Sequence, residues 1–456
     1  MLKKNDIINA DIISMSSEGF EIAKHSDNEL HDFVVFVKGA ATGEKADVRI
    51  IKVLTSYAIA ITERIYTPSP LRITPRCAAA GRCGGCAFGH IKYEEELRIK
   101  KNEVTALLRR ALGTDICAIN DVVPSPQIYR YRNKAQMPLS PLGKFGMYAK
   151  HSHTVITADS CALNDESFDW VQKAVEKYTD KCGASAYDET TGKGLIRHLY
   201  MRRAHTTKQI MLVLVVSDAD IPYRDKLISA ARSVPGMTSI YLNVNNAKTN
   251  VILGHKYIHI WGTKEIQDQL CNLKFTIHPN SFYQINSPQT EQMLKWIKDH
   301  AQITKTDTVL DLYCGIGTIG LSLADIAGYI IGIESVPQAV DNARENAAAN
   351  SIFNAEFHGA DAENASEILK DIGRRPEVIV VDPPRKGLGP HAVEFIIRQM
   401  PRTLIYISCN PSTLARDLTQ LADKGRYKIS AVQPFDMFPR TSHVETVVCL
   451  TRTEQQ

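Results

Sequence analysis

The chain has 456 residues, of which 44% are hydrophobic and 23% charged, with a formal net charge of +4. This is the composition of an ordinary globular protein, and it excludes a mainly disordered or fibrous chain. The length suits about three domains of roughly 150 residues each. The first residues lack the apolar run of a signal peptide, and no segment approaches the roughly 18 apolar residues of a membrane span. We therefore expect a cytoplasmic protein that makes no contact with a membrane.

Residues 1–63 predict a small β-barrel. Short strand-like runs such as FEIAKHS and HDFVVFVKG alternate there with Gly, Asn and Asp turn signals. Small all-β modules of this kind commonly close their sheet edges by forming a barrel. The segment PSPLRITP (68–75) then predicts a linker, because each proline removes a backbone donor and ends a strand ladder.

A cluster of cysteines follows this linker. Three of the ten cysteines have the spacing C-x5-C-x2-C, namely Cys77, Cys83 and Cys86. In a cytoplasmic chain such a cluster indicates a metal site before disulfides, and a tetrahedral or cubane site needs a fourth ligand. The candidates for that ligand are Cys117, Cys161 and Cys182, of which Cys161 lies in the most polar turn. Thiolate ligation fits either zinc or an iron–sulfur cluster, and the spacing differs from the C-x3-C-x2-C of radical S-adenosylmethionine enzymes.

Residues 93–113 predict a helix, because Leu97, Val104 and Leu108 recur at helical spacing. Residues 127–285 are rich in strand-like runs with helices near 166–180 and 223–233, which indicates an α+β region. Charge is uneven, since residues 64–160 contain 15 Lys or Arg against 7 Asp or Glu. Basic and aromatic residues alternate in 128–153. This composition suits binding to RNA phosphates and bases, and equally a solvated surface.

From about residue 286 strand-like and helix-like segments alternate. The strand-like runs lie at 308–314, 329–335, 355–360, 377–383 and 403–409. Alternation of this kind predicts a Rossmann-like parallel sheet with helices on both faces. The last two runs, YKISAVQPF and HVETVVCLTR, leave no room for a helix between them. They predict an antiparallel hairpin at one edge of the sheet.

The segment DLYCGIGTIG (311–320) joins the first of these strands to a helix and matches the glycine fingerprint of nucleotide cofactors. Glu334 ends the next strand, where its carboxylate can bind a ribose. These features fit NAD as well as S-adenosylmethionine. Asp311 favours S-adenosylmethionine, because a carboxylate there can hold the ammonium group that NAD lacks. VVDPPRKG (380–387) adds a rigid turn beside the first strand, at the expected switch point of the sheet.

ISCNPSTLARDL (407–418) and FPRTSHVETVVCL (438–450) carry the candidate catalytic residues. Cys409 ends a strand just before a helix, whose N-terminal dipole is expected to favour the thiolate. A thiolate that adds to C6 of uracil lets C5 attack a sulfonium methyl group, and a base must then remove the C5 proton. Glu445, a charged residue entering an apolar strand, suits that base. The alternatives are a small buried core cysteine and a charged residue at the rim of an edge strand.

Together these motifs resemble the bacterial RNA uracil-C5 methyltransferases over nearly the whole chain. The resemblance implies a multidomain fold. Its parts are an OB-like TRAM barrel that binds RNA (1–63), an α+β central domain with an iron–sulfur site (64–285), and an α/β Rossmann-like class I methyltransferase domain (286–456). It also implies that the helix at 93–113 packs on the methyltransferase domain.

The motifs of this family imply a role for each candidate residue. Its iron–sulfur branch has C-x5-C-x2-C plus a distant fourth cysteine, which implies a [4Fe-4S] cluster, with zinc as the alternative, on Cys77, Cys83, Cys86 and Cys161. The segments FYQIN, DLYCGIG and DPPRKG and the acid that ends the second strand imply contacts with S-adenosylmethionine at Gln284, Tyr313, Glu334 and Asp382. SCNP implies Cys409 as the nucleophile, and HVE implies Glu445 as the proton acceptor.

The expected function is S-adenosylmethionine-dependent methylation of C5 of a uridine in a structured RNA, carried out by a monomer. The iron–sulfur branch leans toward 23S ribosomal RNA, with the T-loop uridine of transfer RNA as the alternative. An NAD-dependent oxidoreductase would leave Asp311 and the DPPR and SCNP segments unexplained. A non-catalytic RNA-binding protein with zinc or an iron–sulfur cluster would leave Cys409 and Glu445 without a joint purpose.

Overall fold

A computed structural model describes residues 2–26, 32–114, 116–150 and 152–453 of the chain. The predicted barrel includes Met1 and residues 27–31, the basic stretch includes His151, and the predicted C-terminal domain includes residues 454–456. These positions, like Asp115, lie outside the described residues. None of the helices in the described ranges combines the length and the apolar character needed to cross a bilayer.

The N-terminal strands form a closed five-stranded barrel in the order β1-β2-β3-β5-β4. They are β1 (Ile7–Met15), β2 (Glu21–Ser26), β3 (Asp32–Lys38), β4 (Lys45–Val53) and β5 (Tyr57–Thr67). Alternate residues of each strand point inward, so that Val35, Val37, Val48 and Ile50 are fully buried in the barrel core. The barrel thus has its own apolar centre.

The central region is built on a second five-stranded sheet, in the order β12-β11-β10-β9-β6. Its elements are α1 (Tyr93–Leu112), β6 (Lys134–Pro138), β7 (Gly146–Tyr148), β8 (Val155–Thr157), α2 (Ser167–Cys182), β9 (Ile196–Arg203), β10 (Ile210–Val216), α3 (Arg224–Arg232), β11 (Met237–Val244) and β12 (Lys256–Gly262). Helices α2 and α3 cover one face of this sheet, where Val171 and Leu227 pack with Leu212. A hairpin of β13 (Ile266–Leu270) and β14 (Leu273–Ile277) leads on to the C-terminal region.

The C-terminal region is a seven-stranded sheet in the order β17-β16-β15-β18-β19-β21-β20. Its elements are α4 (Ser287–His300), β15 (Thr308–Leu312), α5 (Thr318–Leu323), β16 (Tyr329–Glu334), α6 (Pro337–Ala349), β17 (Ala355–Gly359), α7 (Ala365–Ile372), β18 (Val378–Val381), α8 (Pro390–Gln399), β19 (Thr403–Ser408), α9 (Pro411–Gly425), β20 (Tyr427–Phe435) and β21 (Glu445–Arg452). Strands β15 to β19 pair in parallel, and β21 is antiparallel to both β19 and β20. The strand order reverses between β15 and β18, where ligands of such sheets bind.

Helix α1 packs on the C-terminal sheet region although it lies far from it in sequence. Val104 and Leu108 of α1 are fully buried in one core with Leu414 and Leu418 of α9. Their helical spacing places them on one face of α1, and this face is what α9 covers. The C-terminal core is therefore completed by a helix that precedes its partner α9 by about 300 residues, as the 308-residue separation of the contact Thr419–Ala111 shows.

A buried charged cluster fixes α1 to the loop between β20 and β21. We call Glu96, Lys100, Asp436 and Arg440 the Lys100 cluster. Lys100 Nζ donates to Glu96 Oε1 and to Asp436 Oδ1, each at 2.7 Å. The Arg440 backbone N–H donates to Glu96 Oε1 at 2.7 Å, and its guanidinium donates to the carbonyl of Ile91 at 2.8 Å. The loop that leads into β21 is thus held from two sides.

The segments 250–262 and 273–286 contain less strand than their composition predicts. In the first, strand begins only at Lys256, because side-chain amides of Asn243 and Asn245 already bind the backbone carbonyls of Gly254 and Val251. In the second, strand ends at Ile277 and FYQIN is a loop. Asn133 binds that loop through the carbonyl of Gln284, at 2.8 Å. Side-chain capture of backbone groups thus replaces the strand ladder.

Candidate active site

The turn after β15 is open toward the carboxyl edge of the sheet. Tyr313, Gly315 and Gly317 all have positive φ, at 66°, 55° and 82°. A Cβ at Gly315 would meet no atom within 4 Å, so the backbone at this position faces open space. Glu334 stands beside the turn, because its Oε2 accepts a hydrogen bond from the Gly315 N–H at 3.1 Å. Tyr313, Glu334 and the glycines therefore form a cradle that a nucleotide cofactor can enter.

Asp311 lies beneath this cradle. Its side chain is fully buried, and Oδ2 accepts a hydrogen bond from the Gly320 N–H at 2.8 Å. Burial raises the pKa of this carboxyl from 3.8 to about 8, and within the described part of the chain Oδ1 has no hydrogen-bond partner. The sequence predicts that Asp311 faces the ammonium group of the cofactor. In the structure Asp311 holds the start of α5 through the Gly320 N–H, and its contact with the ammonium group stays a prediction.

Gln284 and Asp382 meet across the switch point. Gln284 Nε2 donates to Asp382 Oδ2 at 3.1 Å, which joins the loop before α4 to the turn after β18. Burial raises the pKa of Asp382 from 3.8 to about 7. The amide and the carboxyl together offer donors and acceptors between the cofactor cradle and the side of the sheet that carries β19. Two residues that are 98 positions apart in sequence are thus brought together.

Cys409 and Glu445 lie side by side at the same edge. Ser408 of β19 pairs with Thr446 of β21, so the next residues in this antiparallel register are Cys409 and Glu445. Cys409 is half-buried, whereas Glu445 is only 3% exposed. Successive side chains of a strand point to opposite faces, and opposed residues of two antiparallel strands share a face. The thiol and the carboxyl therefore face the same space.

The electrostatics of this pair correct one expectation. Burial, and then the nearby Glu445 carboxylate, raise the pKa of Cys409 from 9.0 to about 11, against the charge and a hydrogen bond of Arg385. The expected preference for the thiolate is therefore not found in the protein without substrate, because burial and the carboxyls of Glu445 and Asp382 favour the neutral thiol. Burial and Asp382 also raise the pKa of Glu445 well above 4.5, again against Arg385. Arg385 is the cation that both groups share.

The turn that carries Arg385 is tied to the turn that carries Cys409. Asn410 Nδ2 donates to the carbonyl of Arg385 at 3.1 Å, while Asn410 Oδ1 caps α9 by accepting from the Ser412 N–H at 3.1 Å. Asp417 of α9 accepts from the Leu388 N–H at 2.8 Å. Both turns are thus held by the first turns of α9.

Four cysteines line one cavity of about 50 Å³ in the central region: Cys77, Cys83, Cys86 and Cys161. The segment 130–150 brings the two parts of this site together. The Arg130 N–H donates to the carbonyl of Ala162 at 2.9 Å, and the Gly84 N–H donates to that of Tyr148 at 3.0 Å. The other two candidate ligands lie elsewhere. Cys117 packs against the core that contains α9, and Cys182 donates to the carbonyl of Thr179 within α2.

The cysteine cavity offers a suitable donor set but no preformed metal geometry. Within the described ranges, no three His, Cys, Asp or Glu side chains are placed so that they could hold a metal ion. Burial raises the pKa of the Cys86 thiol to about 12, and the Cys161 charge adds to this rise. Arg132 and Arg440 line the same cavity, and cations there would compensate the negative charge of thiolate ligands. The chemistry of the site therefore fits a thiolate-bound metal or cluster.

A cleft of about 400 Å³ lies between the barrel, the cysteine loop and the loop before β21. Lys38 and Lys150 line it on the barrel side, and Arg385 and His443 on the side of the sheet. Lys150 also lies over the ring of Phe20, 4.1 Å from its centroid. A basic cleft with an aromatic wall suits single-stranded nucleic acid. Arg385, which lines this cleft, is also the cation that acts on Cys409 and Glu445.

Sheet order and site together define the class of protein. A parallel sheet with the antiparallel strand β21 inserted between β19 and β20, and with an open glycine turn after β15, is that of a class I S-adenosylmethionine-dependent methyltransferase. A family model described as tRNA (Uracil-5-)-methyltransferase matches residues 166–453, and a TRAM domain model matches residues 3–62. The chain belongs to the tRNA (uracil-5-)-methyltransferase family.

Similar proteins agree with this assignment. Uncharacterized RNA methyltransferases of Clostridium tetani and Clostridium acetobutylicum are each 39% identical to this chain, over 99% and 100% of it and 97% and 99% of their own lengths. The crystal structure of Pyrococcus abyssi tRNA (uracil-54, C5)-methyltransferase in complex with S-adenosyl-L-homocysteine has a TM-score of 0.77 at 27% identity, covering 97% of this chain and 99% of that one. The protein is thus a S-adenosylmethionine-dependent RNA uracil-5-methyltransferase. The expected TRAM domain and class I methyltransferase fold are confirmed.

Sequence reasoning did not single out several residues that the structure places at these sites. Arg385 is the most important, since it acts on both Cys409 and Glu445. Arg385 belongs to the DPPRKG motif, which could have drawn attention to it, but an arginine that follows a turn is also an ordinary surface residue. Arg132 and Arg440 approach the cysteine cavity only through tertiary structure. No local pattern distinguishes them from other arginines.

Proposed function

We propose that this protein methylates C5 of a uridine in RNA through a covalent adduct on Cys409, with Glu445 as the base that removes the C5 proton. The observation that carries the proposal is the register of β19 and β21, which places the thiol and the carboxyl on one face beside the cofactor cradle. The basic cleft is further support, because Arg385 lines it and also acts on Cys409 and Glu445. A uridine must leave its base stack to reach it, as the targets of other base-modifying enzymes do.

We further propose that the cradle holds S-adenosylmethionine through Gln284, Tyr313, Glu334 and Asp382. When bound, this cofactor supplies an electrophilic methyl group. Glu334 stands where a ribose diol can replace part of its contact with Gly315. Gln284 and Asp382 hold the boundary between cofactor and uracil, since their hydrogen bond lies between the cradle and Cys409.

The residues of the chain then act in a fixed sequence. The Cys409 thiol loses its proton to water in the cleft as uracil binds, and Arg385 stabilises the thiolate. The sulfur adds to C6, and C5 takes the methyl group. Glu445 Oε1 is buried and has no hydrogen-bond partner in the described part of the chain, so it is free to accept the C5 proton. Its raised pKa makes it a stronger base than an exposed carboxylate. Breaking the C6–sulfur bond restores the C5–C6 double bond and frees Cys409.

RNA that contains 5-fluorouridine tests this scheme, because its C5 carries no removable proton. We expect a cofactor-dependent covalent complex with the wild-type protein and none with Cys409→Ala. Cys117→Ser is the matched control and should form the complex, since this thiol lies apart from the site. Glu445→Gln should accumulate a methylated adduct on ordinary uridine RNA. Methyl transfer by Cys409→Ala at the wild-type rate would overturn the mechanism.

We propose that Cys77, Cys83, Cys86 and Cys161 hold a [4Fe-4S] cluster with a structural role, because the methyl transfer moves no net electrons. The support is their shared cavity with its cationic lining, together with the family spacing. Protein purified without oxygen should be brown and contain iron. Cys161→Ser should lose this iron, whereas Cys182→Ser should retain it. Zinc in place of iron would contradict the proposed [4Fe-4S] cluster but would still agree with a metal site made of thiolates. The same metal content in Cys161→Ser and Cys182→Ser would contradict the proposed set of four ligands.

We propose 23S ribosomal RNA as the substrate, acted on in the cytoplasm by a monomer whose site is complete within one chain. The four-cysteine pattern supports this choice through the iron–sulfur branch that it resembles. The alternative substrate is transfer RNA, because the similar Pyrococcus abyssi protein is a tRNA (uracil-54, C5)-methyltransferase. Mapping of 5-methyluridine in both RNAs, from cells with and without the gene, tests the proposal. Loss of the modification only from transfer RNA would overturn it.

A further inference from the structure

We propose that His443, as a neutral hydrogen-bond acceptor, is a positioning residue that aims the Arg385 guanidinium at Cys409. This inference deepens the proposed function and rests on it, because it concerns the same thiol. Arg385 Nη2 lies 3.0 Å from His443 Nε2. A guanidinium has only donors, so His443 Nε2 must accept, and a neutral ring then carries its proton on Nδ1. The contact fixes one end of a planar group whose other N–H groups remain available.

The surroundings of His443 keep its ring neutral. Burial lowers its pKa from 6.5 to about 4, and Arg385, Arg132 and Lys100 add to this decrease. These cations come from the turn after β18, from the segment before β6 and from α1. The ring also packs edge-on against Phe438, with centroids 5.9 Å apart. His443 therefore accepts from Arg385 over the whole physiological pH range.

The constraint matters because Arg385 is otherwise free to turn away. Its side chain is exposed, whereas the backbone of its turn is held in place by hydrogen bonds that include those from Asn410 and Thr413 to its carbonyl, at 3.1 and 3.2 Å. The guanidinium contacts His443, hydrogen-bonds Cys409, and through its charge lowers the pKa of both Cys409 and Glu445. Without the acceptor, the guanidinium can follow an RNA phosphate into the cleft. The thiol would then lose the cation that stabilises its ionised form.

Alkylation of Cys409 with iodoacetamide, followed peptide by peptide in the mass spectrometer, measures this coupling without RNA or cofactor. His443→Leu should slow alkylation at pH 8 about tenfold for each unit by which the pKa of Cys409 rises. His443→Gln keeps an acceptor at the position of Nε2 and should restore most of the rate. Arg385→Gln should slow the reaction as much as His443→Leu. Alkylation of Cys117 in the same samples is the internal control and should not change.

The outcomes separate this inference from the proposed function. Wild-type alkylation of Cys409 in His443→Leu, or an equally slow rate in His443→Gln, would overturn the role of His443. Formation of the 5-fluorouridine complex by the wild-type protein tests the nucleophile independently. If His443→Leu slows alkylation while no complex forms with wild type, the proposed mechanism falls and the positioning of Arg385 stands. Circular dichroism and thermal melting of each variant confirm that a change in alkylation is not unfolding.

Discussion

Replacing Lys100 with methionine should lower the free energy of unfolding of the C-terminal domain by about 3–5 kcal/mol. The Lys100 side chain is 1% exposed, and its partners Glu96 and Asp436 are 0% exposed, at 2.7 Å each. Methionine fills the volume of the lysine stem but leaves Asp436 without its cation and Glu96 with Arg440 alone, at 3.5 Å. Breaking a buried ion pair by removing one partner is costly, because the remaining charge is neither solvated nor neutralised.

Lys101→Met is the matched control. Lys101 is the next residue of α1, but its ion pair with Asp121 is exposed, at 37% and 90%, so its loss should cost less than about 1 kcal/mol. The double variant Lys100→Met with Asp436→Asn should recover part of the loss, because Glu96 keeps Arg440 as a partner. Urea-dependent hydrogen exchange of amides in β20 and β21 follows this domain by itself. Equal stabilities of the Lys100 and Lys101 variants would refute the reasoning.

Further substitutions test other parts of the fold. The pKa of Asp311 is raised from 3.8 to about 8, so the folded state keeps a proton that the unfolded chain loses, and its stability should fall as pH rises between these values. Asp311→Asn should flatten this pH dependence in thermal melting, and an unchanged slope would contradict the assignment. Gly19→Val should loosen the barrel from the cysteine loop, as seen by faster limited proteolysis between them, because a Cβ would come within 2.6 Å of Ala87 Cβ. Gly81→Val is the control, because Gly81 has a similar φ but a Cβ there would meet nothing within 4 Å, so this variant should not speed proteolysis between the barrel and the cysteine loop. Asn410→Ala should cost about 1 kcal/mol of stability through loss of the α9 cap, whereas Asn410→Asp should cost less; equal melting temperatures would contradict this.

The C-terminal fold could be predicted from sequence because its signals are local. The central parallel strands β18 and β19 are buried and mainly apolar, and each is followed by a helix of 10 to 15 residues. The terminal hairpin was predictable from the missing helix between β20 and β21. By contrast, the loop at 250–255 and the FYQIN loop have strand-like composition. Their conformation depends on the side chains of Asn243, Asn245 and Asn133, which no local pattern links to them.

The site could be predicted as a set of residue types, but its electrostatics could not. The motifs around Cys409 and Glu445 are recognisable in the sequence, whereas the pKa of the thiol depends on burial and on two carboxyls, Glu445 of β21 and Asp382 in the turn after β18. Desolvation is a property of the whole fold, and it is the largest cause of the raised pKa of the thiol. Cys161 was already favoured among the three candidate cysteines by its polar turn and by the family resemblance, and the cavity that it lines with Cys77, Cys83 and Cys86 agrees with that choice.

The packing of α1 has a consequence for synthesis on the ribosome. Lys100 and its partner Asp436 are separated by 336 residues. Translation proceeds at about 5–20 residues per second, so roughly 20–70 s pass between the synthesis of α1 and that of the segment that covers it. The barrel can close early in this interval, whereas the apolar face of Val104 and Leu108 stays uncovered. Glu96 and Lys100 form an i,i+4 ion pair within α1, which stabilises this helix before its partners in the C-terminal region have been synthesised. Completion of the catalytic domain is therefore among the last events of folding, and truncated chains should carry an unpaired α1 that recruits chaperones.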